Sequence, residues 1–241
     1  FYPDPYAIEP VIRVDTDNAT RLYGAANPAF PVTGSYGGPA VYVFGPSGDS
    51  VNLTGSLVSP ATVASPVGSY AIRGVDAGVI SALGVTYRLV ASTTGNPAVS
   101  PALSVTPAPL TVTANNQTKV YGSTFTFLGT EFSTAGLVNA DTVTSATLTS
   151  PATPATAAFG SYAITPSAAI GTGLSNYTIT YAPGTFAVTQ APLMVTASNQ
   201  TKTYGNAFTF LGTEFTTTGL LNADTVSSAT LSLSLIHISE P

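Results

Sequence analysis

Two pairs of carboxylates are the first residues whose spacing suggests chemistry. Glu131 and Asp141 recur as Glu214 and Asp224, and two acids at a fixed separation are the minimum for acid–base hydrolysis of a glycosidic bond. Upstream, Asp49 stands where Asp141 and Asp224 stand in the later segments, but it has no clear glutamate partner. Catalytic pairs are also seldom copied along a chain, so Asp49, Asp141 and Asp224 are read as turn or cap residues, and no enzyme is expected. His237 is the only histidine and no cysteine is present. Neither a Ser–His constellation nor a His or Cys metal site can therefore be assembled.

Two further groups hold reactive residue types. Asp15-Thr16-Asp17-Asn18 is rich in oxygen, which makes Asp15 and Asp17 weak calcium candidates. Calcium takes about 6–8 oxygen ligands, however, and the corresponding Thr113, Asn115 and Asn116 carry no charge; no cofactor is expected. Lys119 and Lys202 are the only lysines, each followed by a glutamate, a pattern compatible with an intramolecular Lys–Asn isopeptide bond. Arg21 occupies the same place upstream and cannot do that chemistry. The lysines are instead expected to be exposed charges at strand ends that discourage edge pairing. Tyr23, Tyr121 and Tyr204, which precede Gly24, Gly122 and Gly205, read as core aromatics with hydroxyls reaching the surface; a carbohydrate-stacking platform is the minority reading.

These residues belong to elements that repeat. Ala108–Leu148 reads APLTVTANNQTKVYGSTFTFLGTEFSTAGLVNADTVTSATL, and Ala191–Leu231 reads APLMVTASNQTKTYGNAFTFLGTEFTTTGLLNADTVSSATL. They align without gaps at one offset, 83 residues from Tyr121 to Tyr204. A divergent copy precedes them: Thr20–Gly24 matches Thr118–Gly122, Ser59–Thr62 matches Ser150–Thr153, and Gly68–Ile72 matches Gly160–Ile164. Fixed-period similarity of this kind marks a repeat array. The expected organisation is the tail of a preceding module at 1–10, whole modules at 11–107 and 108–190, and a shortened third at 191–232. Residues 233–241, which include His237, fall outside the pattern. They resemble a translated sequencing adapter and are expected to be foreign to the protein.

Within a module the apolar residues alternate in period two: Leu110, Val112, Ala114; Phe125, Phe127; Tyr162, Ile164; Tyr177, Ile179, Tyr181; Phe186, Val188. That is the pattern of half-buried strands, with turns expected at Gly122, Gly129, Gly171–Gly173, Ser175-Asn176 and Pro183-Gly184. Thr and Val supply the β-branched side chains strands favour. The expected class is all-β, with tandem small antiparallel modules forming an elongated array. An immunoglobulin-like sandwich is favoured for each module. A β-grasp-like module is second choice, should 135–143 hold a helical turn. The joints Ala108-Pro109 and Ala191-Pro192 fall between modules, and proline there restricts the hinge.

Charge excludes further classes. The net charge is −5 and the six basic residues form no cluster, whereas nucleic-acid binding needs a basic stripe against the phosphates. No apolar run approaches the roughly 18–20 residues of a membrane-spanning helix.

Taken together, these features resemble the MBG repeats of the YGX type, related to the YDG repeats, of large bacterial surface proteins. The matching residues are Leu110–Ala114, Lys119-Val-Tyr121-Gly122, Gly136–Thr142, Gly160–Ile164, Asn176–Ile179 and Gly184–Val188. The resemblance covers 11–232, with Arg21 replacing the lysine and Val85-Thr86-Tyr87 the Asn-Tyr pair in the first module. It implies a non-enzymatic stalk or adhesive region, extracellular or on the bacterial cell surface. Its partners would be neighbouring modules of the chain, with surface glycans or proteins as further partners. The competing class is a carbohydrate- or protein-binding module accessory to a larger secreted protein, for which Tyr36, Tyr42 and Phe44 are the candidate contact residues.

Overall fold

The structure, a computed structural model, describes residues 11–30, 41–44, 49–52, 57–74, 79–80, 86–93 and 100–233. Tyr36, His237, the preceding-module tail at 1–10 and all but the first residue of the adapter-like segment lie outside them. The described chain is built from strands. The one helical element described is a 3-10 turn at Leu174–Asn176. Threonine- and valine-rich stretches pay little to be extended, because their χ1 rotamers already suit a pleated surface.

In the first repeat, β1 (Val11–Thr16) pairs with β9 (Thr86–Thr93), which also pairs with β8 (Val79–Ile80). A second sheet runs β2–β10–β6, from Ala19–Leu22, Ala102–Thr106 and Gly68–Ala71. Two short ribbons complete the set: β3 (Val41–Phe44) with β4 (Asp49–Asn52), and β5 (Leu57–Val58) with β7 (Arg73–Gly74). The second repeat gives a sheet ordered β13–β11–β16, from Phe132–Ala135, Ala108–Ala114 and Tyr177–Ala182. Its other sheet is ordered β12–β17–β15–β14, from Gln117–Val120, Gly184–Thr189, Gly160–Thr172 and Thr142–Thr149. In the third, β18 (Met194–Ala197) pairs with β19 (Phe215–Thr218).

The chain is all-β as expected, and parallel pairs stand beside antiparallel ones such as β3–β4, β5–β7 and β18–β19. β1 runs parallel to β9, β2 to β10 and β12 to β17. Alternation reports which face of a strand is buried and says nothing about its neighbour's direction. The register shows that the first two repeats share one plan. Arg21 lies opposite Val105 as Lys119 lies opposite Val188, and Gly68 opposite Val105 as Gly160 opposite Val188.

Three local expectations are corrected. Residues 136–141 hold no helical turn: Asn139 and Ala140 both have positive φ, 54° and 61°, and the Asp141 N–H bonds to Val138 O at 3.0 Å. Those are features of a type I′ turn, and they remove the ground for a β-grasp reading. Phe125 and Phe127 alternate but belong to no strand. Instead their rings meet Phe186 edge to face at 4.9 and 6.1 Å. Gly171 lies within β15.

By its contacts the chain divides into two compact units. One comprises Phe1–Thr111, Thr134–Thr144 and Ile170–Thr180; the other comprises Val112–Ser133, Ser145–Ala169 and Tyr181–Pro241. In the first, Ile72, Leu103, Val105 and Leu110 are buried. The second has a core of Ala114, Leu148, Ala152, Ala157, Ile164, Phe186 and Val188, with Tyr121, Phe125, Phe127 and Tyr162 packed against it.

Candidate functional site, a joint between successive repeats

The tyrosine and aspartate of the repeat motif meet across repeats. Within the first compact unit, the Tyr23 hydroxyl of repeat one donates to Asp141 Oδ2 of repeat two at 3.0 Å. Tyr177 donates to the same oxygen at 2.8 Å and accepts from the Val138 N–H at 2.9 Å. The two tyrosine rings stand edge to face, 5.5 Å apart at 83°, a favoured aromatic geometry. Burial, together with the adjoining Asp141 carboxylate, pushes the Tyr177 hydroxyl above its ordinary pKa, against a lowering pull from the Val138 N–H. Asp141 thus closes the 138–141 turn through its N–H and also accepts two hydroxyls across a joint through its carboxylate. Tyr23 is buried with its hydroxyl satisfied internally, not reaching the surface.

The turn at 138–141 fits a socket on repeat one. The Asn139 side-chain amide donates to Val63 O at 3.0 Å, and that carbonyl also accepts from the Gly24 N–H at 3.2 Å. Asn176 Oδ1 accepts from the Val67 N–H at 3.0 Å. Gly24 has φ +81°, and a Cβ there would overlap the Val138 side chain. Glycine is therefore needed twice over, for the left-handed backbone and for the close approach.

The same joint recurs within the second unit. Asn222 and Ala223 repeat the positive φ values, at 49° and 62°, and the Asp224 N–H bonds to Leu221 O at 2.8 Å. Asn222 donates to Ala155 O at 2.9 Å, a carbonyl that also accepts from the Gly122 N–H at 3.1 Å. A Cβ on Gly122, φ +88°, would overlap Leu221. Tyr121 and Asp224 line one cavity of about 610 Å³ with Phe159, Leu193, Leu220 and Leu221.

Lysine 119 builds the socket rather than standing exposed at a strand end, which corrects the expectation for it. It is buried in β12, and its ammonium donates to Ser123 O at 2.8 Å, Pro154 O at 2.5 Å and Thr153 O at 3.4 Å. Burial lowers its pKa. None of these partners is an asparagine side chain, so Lys119 has no isopeptide partner in its contacts. Arg21 does the same work in repeat one, donating to Thr62 O, to Leu22 O at 3.1 Å and to Asn27 Oδ1 at 2.7 Å. Either cation ties down the loop whose next carbonyl receives the asparagine of the following repeat.

The glutamates are also structural. Glu131 accepts the N–H groups of Leu128, Gly129 and Thr130 at 2.8–3.1 Å, and Glu214 those of Leu211, Gly212 and Thr213 at 2.9–3.1 Å. For Glu131, burial raises the pKa but the backbone hydrogen bonds outweigh it and lower it overall. For Glu214 the lowering comes first from the Leu211 N–H. A carboxylate held by three N–H groups is a loop clamp, and neither is paired with its neighbouring aspartate.

The remaining candidates are scattered. Tyr204 is fully exposed, and nothing lies within 4 Å of a Cβ built on Gly205. Asp49 sits in β4 opposite Phe44, and Tyr42 opposite Val51. Asp15 sits in β1 opposite Ser92, and Asp17 is exposed. Among the described residues no three acidic or histidine side chains gather, and no helix is long and apolar enough to cross a membrane. Sequence reasoning missed Asn139, Asn176 and Tyr177 as joint residues. Part of their signal was present: Asn139 recurs as Asn222 and Tyr177 has Tyr87 as its counterpart, but a motif does not say which other motif it touches.

The family profile of the MBG domain (YGX type) matches residues 110–187 and again 193–239, together more than half of the chain. The second match runs into the segment expected to be foreign. Neither a curated protein nor a solved structure matches the chain. Two matched spans whose starts are one 83-residue period apart, carrying the tyrosine–glycine and Asn-Ala-Asp elements of the joint, make the assignment: the chain belongs to the MBG domain family of the YGX type.

Proposed function

We propose that this chain is a non-enzymatic structural and adhesive repeat region of a large bacterial protein, displayed outside the cell or on its surface. The observation that carries the reading is that one joint is built twice from the residues that define the repeat. Tyr23-Gly24 receives Val138–Asp141, and Tyr121-Gly122 receives Leu221–Asp224. Asp141, Glu131, Glu214, Lys119, Tyr23 and Tyr177 are engaged in holding loops and neighbouring repeats. Low charge with abundant Thr and Ser suits a chain that hydrates without attracting charged partners,. Many weak contacts along such an array add up by multivalency.

Small-angle scattering tests the array reading. Gly24→Val should expel the 138–141 turn and enlarge the radius of gyration, with secondary structure retained by circular dichroism. Superimposable scattering profiles for the two proteins would overturn the reading of the joint as the element that sets repeat-to-repeat order.

A further inference from the structure

The joint between repeats one and two brings two phenols to one base, and that arrangement has a chemistry of its own. The Tyr23 and Tyr177 hydroxyls both donate to Asp141 Oδ2, at 3.0 and 2.8 Å. Their rings stand edge to face with centroids 5.5 Å apart. The other aromatic pairs among the described residues join phenylalanines. Because both hydroxyls converge on one oxygen, the carbons ortho to them, where phenoxyl radicals couple, lie close together as well. Joining them takes a short closing movement of the rings, within the range of side-chain torsion.

The base is pinned between the phenols and the backbone. A Cβ on Gly173 would overlap the Asp141 carboxylate, so the chain lies close behind it, and two donors fix its outer oxygen. Asp141 is only half-buried, which leaves it a route for passing a proton to water. Tyr23 and Tyr177 are 6% and 8% exposed. A radical on either is shielded from solutes and has the other ring as its neighbour, and such proximity acts as a high effective concentration. Burial, which raises the Tyr177 pKa, keeps that hydroxyl a neutral phenol. An electron then leaves most easily when a positioned base takes the proton.

We infer that Tyr23 and Tyr177 form a site of oxidative cross-linking, where a one-electron oxidant joins them as dityrosine across the joint. One electron passes from a tyrosine to the oxidant, a high-potential metal complex, as the hydroxyl proton moves to Asp141. The carboxyl group releases that proton to water, and the second tyrosine is oxidised in the same way. The two radicals pair in a carbon–carbon bond between ortho positions, and the hydrogens displaced from those carbons restore the two hydroxyls. In all, two electrons reduce two molecules of the oxidant and two protons go to water. The product ties repeat one covalently to repeat two. The site rests on the contacts of the joint; scattering decides whether the joint orders the repeats, and the experiment below whether its tyrosines couple.

The full 241-residue protein, kept dilute so that chains do not couple to one another, is oxidised with a photogenerated ruthenium(III) tris-bipyridine complex. A monomer lighter by two hydrogen atoms is expected, with dityrosine fluorescence. Proteolysis and tandem mass spectrometry should place the link between Tyr23 and Tyr177. Tyr177→Phe should abolish that link, as should Gly24→Val, which parts the rings. Asp141→Asn keeps an oxygen acceptor but loses the base, and should slow linking about a hundredfold, the low end of what a positioned base contributes. Circular dichroism checks that each variant is folded. An unchanged mass, dityrosine joining other residues only, or equal rates with and without the Asp141 carboxylate would each overturn the inference.

Discussion

Residues 108–148 and 191–231 have almost the same sequence and very different surroundings. Lys119 is 8% exposed and holds three carbonyls, while Lys202 is exposed and among the described residues donates to Asn206 O alone, at 3.2 Å. Phe125 and Phe127 pack on Phe186, while Phe208 and Phe210 have each other, at 5.1 Å. Yet the turns are copies. The glutamate clamp, the left-handed Asn-Ala pair and the Gly129 and Gly212 backbones, φ 84° and 82°, recur within a few degrees and tenths of an ångström. Turn geometry is written within some four to six residues, whereas burial is supplied by strands far along the chain. In the second repeat those are β14 to β17.

Substitutions in the two copies can break or sharpen this contrast. The largest effect is expected for Phe186→Ala. Phe186 is fully buried, and losing a core phenylalanine costs about 3–5 kcal/mol, read by urea denaturation. Phe208→Ala should cost well under half of that; equal losses would mean the third repeat has a core of its own. Next comes Lys119→Met, which leaves buried carbonyls without their cation and should cost about 1.5–3 kcal/mol. Lys202→Met should stay within about 0.5 kcal/mol, as exposed substitutions do. Tyr177→Phe removes one hydroxyl from Asp141 and should cost about 1–2 kcal/mol, with Tyr121→Phe again smaller.

The smallest difference between copies is expected for the glutamate clamps, since they are local. In carbon-detected pH titration, Glu131 and Glu214 should both titrate below the ordinary value of 4.5. With the folded value depressed, their stabilisation is present above the ordinary value and is lost as pH falls through the folded one. Tyr177 has the opposite sign. Its folded value is raised above 10.0, so its contribution is intact below that pH and disappears as pH rises through the folded value. Divergent behaviour of the two glutamates would show that the clamp depends on its surroundings after all.

The fold was legible wherever side-chain period decided it. Leu110, Val112 and Ala114 are buried along β11, and Phe186 and Val188 along β17, as alternation requires. Strand direction was not legible, because parallel and antiparallel neighbours bury the same face. Phe125–Phe127 misled, since aromatic packing can hold a segment extended without a ladder. At the joint, Tyr23, Gly24 and Asp141 stood out by recurrence. Their pairing across repeats did not, because it depends on how one repeat's turn meets the next repeat's socket. Lys119 was misread for a related reason. Charge predicts exposure unless partners are known, and its partners are backbone carbonyls, which carry no mark in the sequence.

The parallel pairing of β12 with β17 has a mechanical consequence. Gln117–Val120 lies near the start of its repeat and Phe186–Thr189 at its end, so tension applied to the two ends pulls these strands past each other in opposite directions. Their cross-strand bonds are loaded in shear and must give way together, instead of opening one after another like a zip. The β2–β10 pair places Ala19–Leu22 and Leu103–Thr106 in the same relation. Repeats wired in this way resist stretching at the points where the chain enters and leaves.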